Sequence, residues 1–222
     1  MPKRPDRSSV DILRLLQDIR ADDAVAAFAR RLDEQVFVGG KRVTRQKLPK
    51  PAKSSLSTIH QVKVTIYGSK PPVWRRLELP SAMTLDLVHE TLQIAFDWQG
   101  YHLHAFETAC GQFGSPDQDD DWSDRADEAS VTLSQVAPAE TAKIVYVYDF
   151  GDDWRHDIVV EKILPAETGI AYPRCIAGRR TAPEEDSGGV WDDAGSPEGE
   201  QFDPSEVTAA LAQLSAVIVA EP

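Results

Sequence analysis

Several short runs of the chain alternate apolar and polar residues. Val62, Val64 and Ile66 alternate with polar neighbours, and the run VWRRLELP alternates again after GSKPP. KIVYVYDF and WRHDIVVEKIL show the same period and are separated by a short turn of Gly and Asp. Because successive side chains of a strand point to opposite faces, these runs predict strands joined into hairpins. The predicted strands occupy residues 59–67, 73–79, 102–108, 143–149 and 154–164.

Other stretches show the period of a helix. Thr84 precedes an amphipathic run that predicts a capped helix over residues 84–97. The run DPSE at residues 203–206 supplies an N-cap, a proline at the first helical position and a capping-box glutamate, which predicts a C-terminal helix. Apolar residues at helical spacing between residues 9 and 32 predict a helical hairpin.

These elements predict an α+β fold, an antiparallel sheet with helices packed on one face, preceded by an N-terminal helical hairpin. The run VGGKRVTRQKLPKPAKSSLS that follows the hairpin has six basic residues and almost no apolar periodicity, which is typical of a flexible linker. We therefore divide the chain into a helical head with a basic linker, residues 1–55, and an α+β domain, residues 56–222. Residues 111–129 are dense in acidic residues and predict an exposed loop.

Charge divides the chain in the same place. Residues 1–53 carry 13 Lys and Arg against 7 Asp and Glu, or +6, and the remainder carries 11 against 29, or −18. Because a nucleic-acid interface needs cations opposite the phosphates, we expect no nucleic-acid binding except a weak one through the head. Two cysteines and the absence of a long apolar run favour a reducing compartment and no membrane span, so we expect a cytoplasmic protein.

Four motifs, taken in order, resemble the plasmid pRiA4b ORF-3-like family. They are IHQVKVTIYGSKPPVWRRLELP, TLDLVHETLQIAFDWQGYHLHAF, VYDFGDDWRHDIVVEKILP and CIAGRRTAPEEDSGG, between Ile59 and Val190. The resemblance implies a compact α+β domain that occurs in bacteria and on mobile elements and has no established molecular function. The family's tail usually has cysteines where this chain has Ala182 and Ser187, so that only Cys175 is left. This difference argues against a structural zinc in the tail.

Histidines and aspartates form the main group of candidate site residues. His102 and His104 are two apart in a predicted strand, and His156 lies on the long hairpin near Asp149 and Asp153. Imidazole and carboxylate ligands suit zinc or another transition metal, but half-buried histidines that are hydrogen-bonded to neighbours give the same pattern. No motif such as HExxH fixes the geometry. No cofactor is therefore predicted, and a divalent metal at these five residues is the alternative.

Two further groups carry charge that a ligand would recognise. Trp74, Arg75 and Arg76 open a predicted strand, and a guanidinium over an indole can hold a carboxylate or phosphate. The same arginines would equally pair with acidic loops of the body. The acidic run at residues 184–186 precedes Ser-Gly-Gly and could ligate a cation or supply a paired acid and base. A solvated loop is favoured over these roles, because nothing in the run indicates burial.

Two classes of function remain after this reading. The sequence favours a non-enzymatic module that binds a protein or a small molecule, with an association with mobile elements implied by the resemblance. The alternative is a metal-dependent, hydrolase-like enzyme that uses the His/Asp cluster. Neither a G-x-S-x-G elbow nor an arginine-rich recombinase site is present, which argues against an enzyme of either kind. The metal-dependent alternative leaves the question of enzymatic activity open.

Overall fold

The computed structural model describes residues 35–50, 57–116, 125–190 and 202–220. A small sheet pairs β1 and β2, and a large sheet holds eight strands. The strands are β1 Gln35–Val38, β2 Lys41–Thr44, β3 Thr58–Ile66, β4 Trp74–Pro80, β5 His104–Thr108, β6 Gly111–Gly114, β7 Ala126–Asp127, β8 Lys143–Tyr148, β9 Trp154–Pro165 and β10 Arg174–Arg179. The described helices are α1 Leu85–Phe96, α2 Leu133–Val136 and α3 Pro204–Ala220, with a 3-10 turn over Glu128–Ser130.

The large sheet has the strand order β10-β4-β3-β9-β8-β5-β6-β7. Its centre is the long hairpin β8–β9, which places Tyr148 opposite Trp154 and Tyr146 opposite His156. β5 pairs with β8 so that His104 lies opposite Tyr148. Every pair in this sheet is antiparallel except β6 and β7, which run parallel.

One face of the large sheet is apolar and is covered by α1. Because cross-strand partners share a face, the period of two in each strand places its apolar residues on the same side. The buried cluster joins this face to the apolar side of α1, with members that include Val62, Val64, Ile66, Leu77, Leu85, Val88, Leu92, Phe96, Phe106, Tyr146, Ile158 and Val160. None of the helices in the described ranges is long and apolar enough to cross a membrane.

The predicted fold class is wrong. Over the described residues the structure is mostly sheet with few helices, and the large sheet is mixed because β7 runs parallel to β6. The predicted N-terminal helical hairpin lies outside the described residues.

The positions of the predicted strands and of two helices nevertheless agree with the structure. All five predicted strands are present, and α1 and α3 lie where the amphipathic run and the DPSE signal predict helices. The predicted acidic loop is wrong in part, because residues 111–129 contain β6, β7 and the 3-10 turn. Glu128 of that turn is buried rather than solvated.

Part of the predicted linker is a β-hairpin. Gly39 and Gly40 both have positive φ, 58° and 72°, which is the geometry of a tight hairpin turn that favours glycine. The hairpin contacts the second face of the large sheet, because Gly39 N donates to Glu107 (2.7 Å) and Arg155 donates to Gly39 O (3.3 Å). Gln46 N donates to the carbonyl of Ala109 (2.6 Å). The division of the chain into two domains remains a prediction.

Candidate metal site

The turn between β8 and β9 fixes the first carboxylate of the site. Asp149 has φ 54°, and its Oδ1 accepts from the backbone N–H of Gly151 (2.9 Å) and of Asp152 (3.4 Å). Asp153, also at positive φ, donates its N–H to the Asp149 carbonyl (2.7 Å). Aspartate suits such left-handed positions because its short side chain bonds to the local backbone. Since Oδ1 serves the turn, Oδ2 of Asp149 is available to a neighbour.

That neighbour is His102, which lies just before β5. Its backbone N–H donates to the hydroxyl of Tyr148 (3.2 Å), and Asp149 N donates to the carbonyl of Leu103 (2.9 Å). The bond between Asp149 and Leu103 continues the β5–β8 pairing by one residue, and the bond to Tyr148 holds His102 beside the end of β8. As a result, the imidazole Nε2 of His102 lies 3.8 Å from Asp149 Oδ2.

A segment after β10, residues 183–189, brings in a third ligand; we call it the tail loop. Trp98 Nε1 donates to the carbonyl of Pro183 (2.9 Å), and Gly188 N donates to Asp152 Oδ2 (2.7 Å). Glu185 accepts from the Tyr148 hydroxyl and from Gln99 N (2.7 Å). Burial and this acidic partner raise the pKa of Tyr148, so its hydroxyl stays protonated and donates. The tail loop is therefore held by the segment just after α1, by Tyr148 at the end of β8 and by the β8–β9 turn.

The tail loop presents Asp186 to the histidine. Asp186 has φ 58°, and its Oδ1 lies 2.9 Å from His102 Nε2. One ligand atom each from His102, Asp149 and Asp186 lies within 4.8 Å of the others. Two ligands of a tetrahedral metal with bonds of about 2.1 Å are separated by roughly 3.4 Å, and the distances of 2.9 and 3.8 Å lie on either side of that value.

The nitrogen at the centre of this cluster lacks a well-aligned hydrogen bond. His102 Nε2 is buried, yet no acceptor meets it with hydrogen-bond geometry, although Asp186 is close in distance. Side-chain exposure rises from 13% at Asp149 and 29% at His102 to 68% at Asp186. The cluster of His102, Asp149 and Asp186, the His102 cluster below, therefore opens to solvent on the side of the tail loop.

His104, another predicted ligand, belongs to a separate buried network. Its Nε2 lies 2.9 and 3.0 Å from the two oxygens of Glu128, and its ring stacks parallel to His89 with centroids 3.7 Å apart. His89 Nδ1 lies 2.7 Å from the hydroxyl of Tyr146, to which Gln93 also donates (2.8 Å). Burial, with a contribution from His104, lowers the pKa of His89 to about 3. This network stabilises the packing of α1 on the sheet.

The structure also keeps His156 and Asp153 away from the His102 cluster. His156 is fully buried, with Nδ1 3.0 Å from the Trp154 carbonyl and the ring against Phe96 (4.8 Å) and Trp98 (5.2 Å). Burial lowers the pKa of His156 to about 4. Asp153 is exposed and serves the turn through its backbone. Of the five predicted residues, only His102 and Asp149 meet.

Arg75 does not share a site with Trp74 and Arg76, because adjacent strand residues face opposite sides of the sheet. The Arg76 guanidinium does lie over the Trp74 ring, 5.2 Å from its centroid, as the predicted anion site requires. Arg75 is buried and donates to the carbonyls of Ala95 (2.8 Å) and Arg180 (2.8 Å), and burial lowers its pKa to about 10. Arg76 forms an ion pair through two hydrogen bonds with the carboxylate of Glu161 on β9 (2.6 and 2.9 Å). Both guanidinium groups are engaged within the protein.

The fold and the His102 cluster together define a mixed-sheet domain with histidine and carboxylates at the end of its central hairpin. The chain belongs to the plasmid pRiA4b ORF-3-like protein family, whose model matches residues 58–195. It is 35% identical to the uncharacterized protein y4hQ of Sinorhizobium fredii over 138 residues, 61% of this chain and 70% of that protein. The crystal structure of MM3350, a protein of unknown function from Methanosarcina mazei Go1, is similar with a TM-score of 0.60 and 32% identity, over 69% of this chain and 98% of that one.

The three residues of the His102 cluster lie within three of the motifs that carry the family resemblance. His102 belongs to HLHAF, Asp149 to VYDFGDDW and Asp186 to APEEDSGG. Asp186 is not one of the five residues of the predicted cluster, because its acidic run favours a solvated loop over cation binding. The signal that identifies it is its place in a motif that the fold brings against the other two.

Proposed function

We propose that the protein is a binding module that holds one divalent cation through His102, Asp149 and Asp186. The observation that carries the proposal is the convergence of three ligand atoms, from three separate segments, within 4.8 Å of one another. Each segment is held by backbone hydrogen bonds, so the ligands are positioned in advance of binding. Preorganised ligands reduce the entropy that binding would otherwise cost.

The donor set limits the metals that fit. One imidazole nitrogen and two carboxylate oxygens suit Zn²⁺ or a related transition metal better than Ca²⁺, which prefers six to eight oxygens. Two carboxylates would balance the charge of the cation. Because Asp186 is 68% exposed, further coordination positions face solvent and are open to water or to a ligand. A protein or small molecule with a carboxylate or imidazole would complete the coordination.

The arrangement supports binding better than metal-dependent hydrolysis. A general base has to come within hydrogen-bond reach of the reacting group. His104 is engaged with Glu128, and His156 is fully buried among aromatic rings, so neither reaches the His102 cluster. Nucleic acid is a poor partner for this part of the protein, because residues after Lys53 carry a net charge of −18 and supply few cations for a phosphate backbone.

Titration of the full chain with Zn²⁺ and with Mn²⁺ tests the proposal, after removal of metal by a chelator. We expect one ion per chain, measured by calorimetry, and affinity losses of roughly tenfold or more in Asp149→Asn and Asp186→Asn. Asparagine tolerates positive φ and keeps Oδ1 as an acceptor, so both variants retain the turn.

The matched control is Asp153→Asn, which has the same change of charge in the same turn at φ 53°. It should bind like the wild type. Equal weakening by all three substitutions would indicate general attraction to negative charge, and no binding by the wild type would remove the proposed function.

A further inference from the structure

A second concave region lies on the opposite face of the large sheet, beneath the β1–β2 hairpin. A cavity of about 380 Å³ separates the hairpin from the segment that runs from α2 to β8. Small apolar side chains form much of its wall, among them Val38, Val43, Ala109, Val136 and Ala142. Its volume falls in the range of small-molecule sites, about 300–1,000 Å³.

Two lysines give this cavity a positive rim. Lys41 of β2 and Lys143 of β8 line it, and both also line a smaller cavity of about 110 Å³ that continues toward Arg155 and Asp157. The two lysines therefore stand where the two cavities meet. Both lysines are exposed, so their ammonium groups are open to a ligand that arrives from solvent.

The other charges around the cavities are already engaged. Arg155 Nη2 donates to Asp157 Oδ1 (2.8 Å), and its Nη1 donates to the Gly39 carbonyl (3.3 Å). Glu140 also lines the larger cavity, where its Oε1 accepts from the backbone N–H of Ile163 (3.3 Å). With two lysines and one glutamate, the lining of this cavity has a net charge of +1. Lys143 lies in the part of the chain after Lys53, which carries a net charge of −18, and Lys41 comes from the basic segment before it.

We infer that the larger cavity binds a small amphipathic anion, a carboxylate that carries an apolar chain. The apolar walls take the chain, and burial of that surface supplies the main driving force. The carboxylate lies at the junction of the cavities, between the ammonium groups of Lys41 and Lys143. A neutral molecule of the same shape would gain only the apolar part, and a polyphosphate would place charge against apolar walls.

Octanoate is the test ligand, added to the full chain and followed by amide chemical shifts. We expect the shifted amides to fall at residues 38–46 and 136–143, and the affinity to drop at least fivefold in the double variant Lys41→Gln/Lys143→Gln. Octanol lacks the carboxylate, so its affinity for the wild type should be no higher than the affinity of octanoate for the double variant, which lacks the two ammonium groups. The matched control is Lys63→Gln/Lys162→Gln, which removes the same charge from strand positions that line neither cavity and should bind like the wild type.

Three results would overturn the inference. They are the absence of shifts at these amides at millimolar octanoate, equal weakening by both double variants, and equal binding of octanol and octanoate. Absence of the amide shifts would also be seen if another part of the chain filled the cavity. In that case too the cavity would not be a binding site for the anion. None of these outcomes depends on the His102 cluster, so failure here leaves the proposed function standing.

Discussion

His156 should make the protein less stable in mild acid. Its ring is fully buried against Phe96 and Trp98, and burial lowers its pKa from the usual 6.5 to about 4. The unfolded chain therefore binds a proton at His156 at pH values where the folded chain does not. Because the unfolded state binds more protons, stability falls as the pH falls from about 6.5 to about 4.

The size of the effect follows from the shift in pKa. A pKa difference of about 2.5 between the unfolded and the folded chain corresponds to about 3 kcal/mol in the free energy of unfolding. This stability is present at pH values above the pKa of His156 in the unfolded chain, and it is lost once the pH falls below its pKa in the folded chain. Between about pH 7 and about pH 5, the contribution of His156 alone falls by about 2 kcal/mol. His89, whose pKa is about 3, acts in the same direction and remains in place in any His156 variant.

Urea unfolding followed by tryptophan fluorescence measures this contribution in His156→Leu. The variant should lose about 2 kcal/mol less than the wild type between about pH 7 and about pH 5. Leucine also removes a buried Nε2 that has no hydrogen-bond partner, so the variant should fold. His156→Phe packs differently but has the same lack of titration, and it should show the same reduced dependence on pH. If both variants keep the wild-type dependence, burial of a neutral His156 is not the cause.

Three other predictions concern the tail loop and the head. Tyr148→Phe removes the hydroxyl that holds the tail loop and should weaken zinc binding roughly tenfold in a titration, whereas Tyr146→Phe should not. Gly189→Ala places a Cβ 2.6 Å from a backbone oxygen at φ +86°, so urea unfolding should show a larger loss than for Gly169→Ala, which has φ +82° and open space. Any DNA affinity should fall steeply with salt and vanish in a chain that begins near Leu56; persistent binding would contradict this.

The strands were predictable where one face is buried and the other is not. In β8 and β9 the core imposes a period of two on side chains, and this period is visible in the sequence. β10 has no such pattern, because RCIAGR is held to β4 by backbone pairing with a register shift and by the Arg174–Glu78 ion pair (2.6 Å). The short pair β6–β7 is likewise defined by tertiary contacts rather than by local preference.

The candidate site was predictable only in part, for a related reason. His102 and Asp149 adjoin the ends of β5 and β8, so the strand pairing alone brings them together. His104 and His156 lie within strands, on the face of the sheet that is turned toward the core. Both are therefore buried and contribute to packing instead of binding a metal. Asp186 reaches the site because the tail loop contacts the segment after α1 and the β8–β9 turn. The hydrophobic period of the sequence does not indicate such contacts between loops.

Metal binding at the His102 cluster is tested most directly by a crystal structure of the protein grown with Zn²⁺, with anomalous data collected at the zinc edge. We expect one strong anomalous peak within about 2.0–2.2 Å of His102 Nε2, Asp149 Oδ2 and Asp186 Oδ1. The peak should be lost in crystals of Asp186→Asn and retained in crystals of Asp153→Asn. A fully soaked crystal without a peak at the His102 cluster, or with its strong peak at other residues, would show that these three residues do not form a metal site.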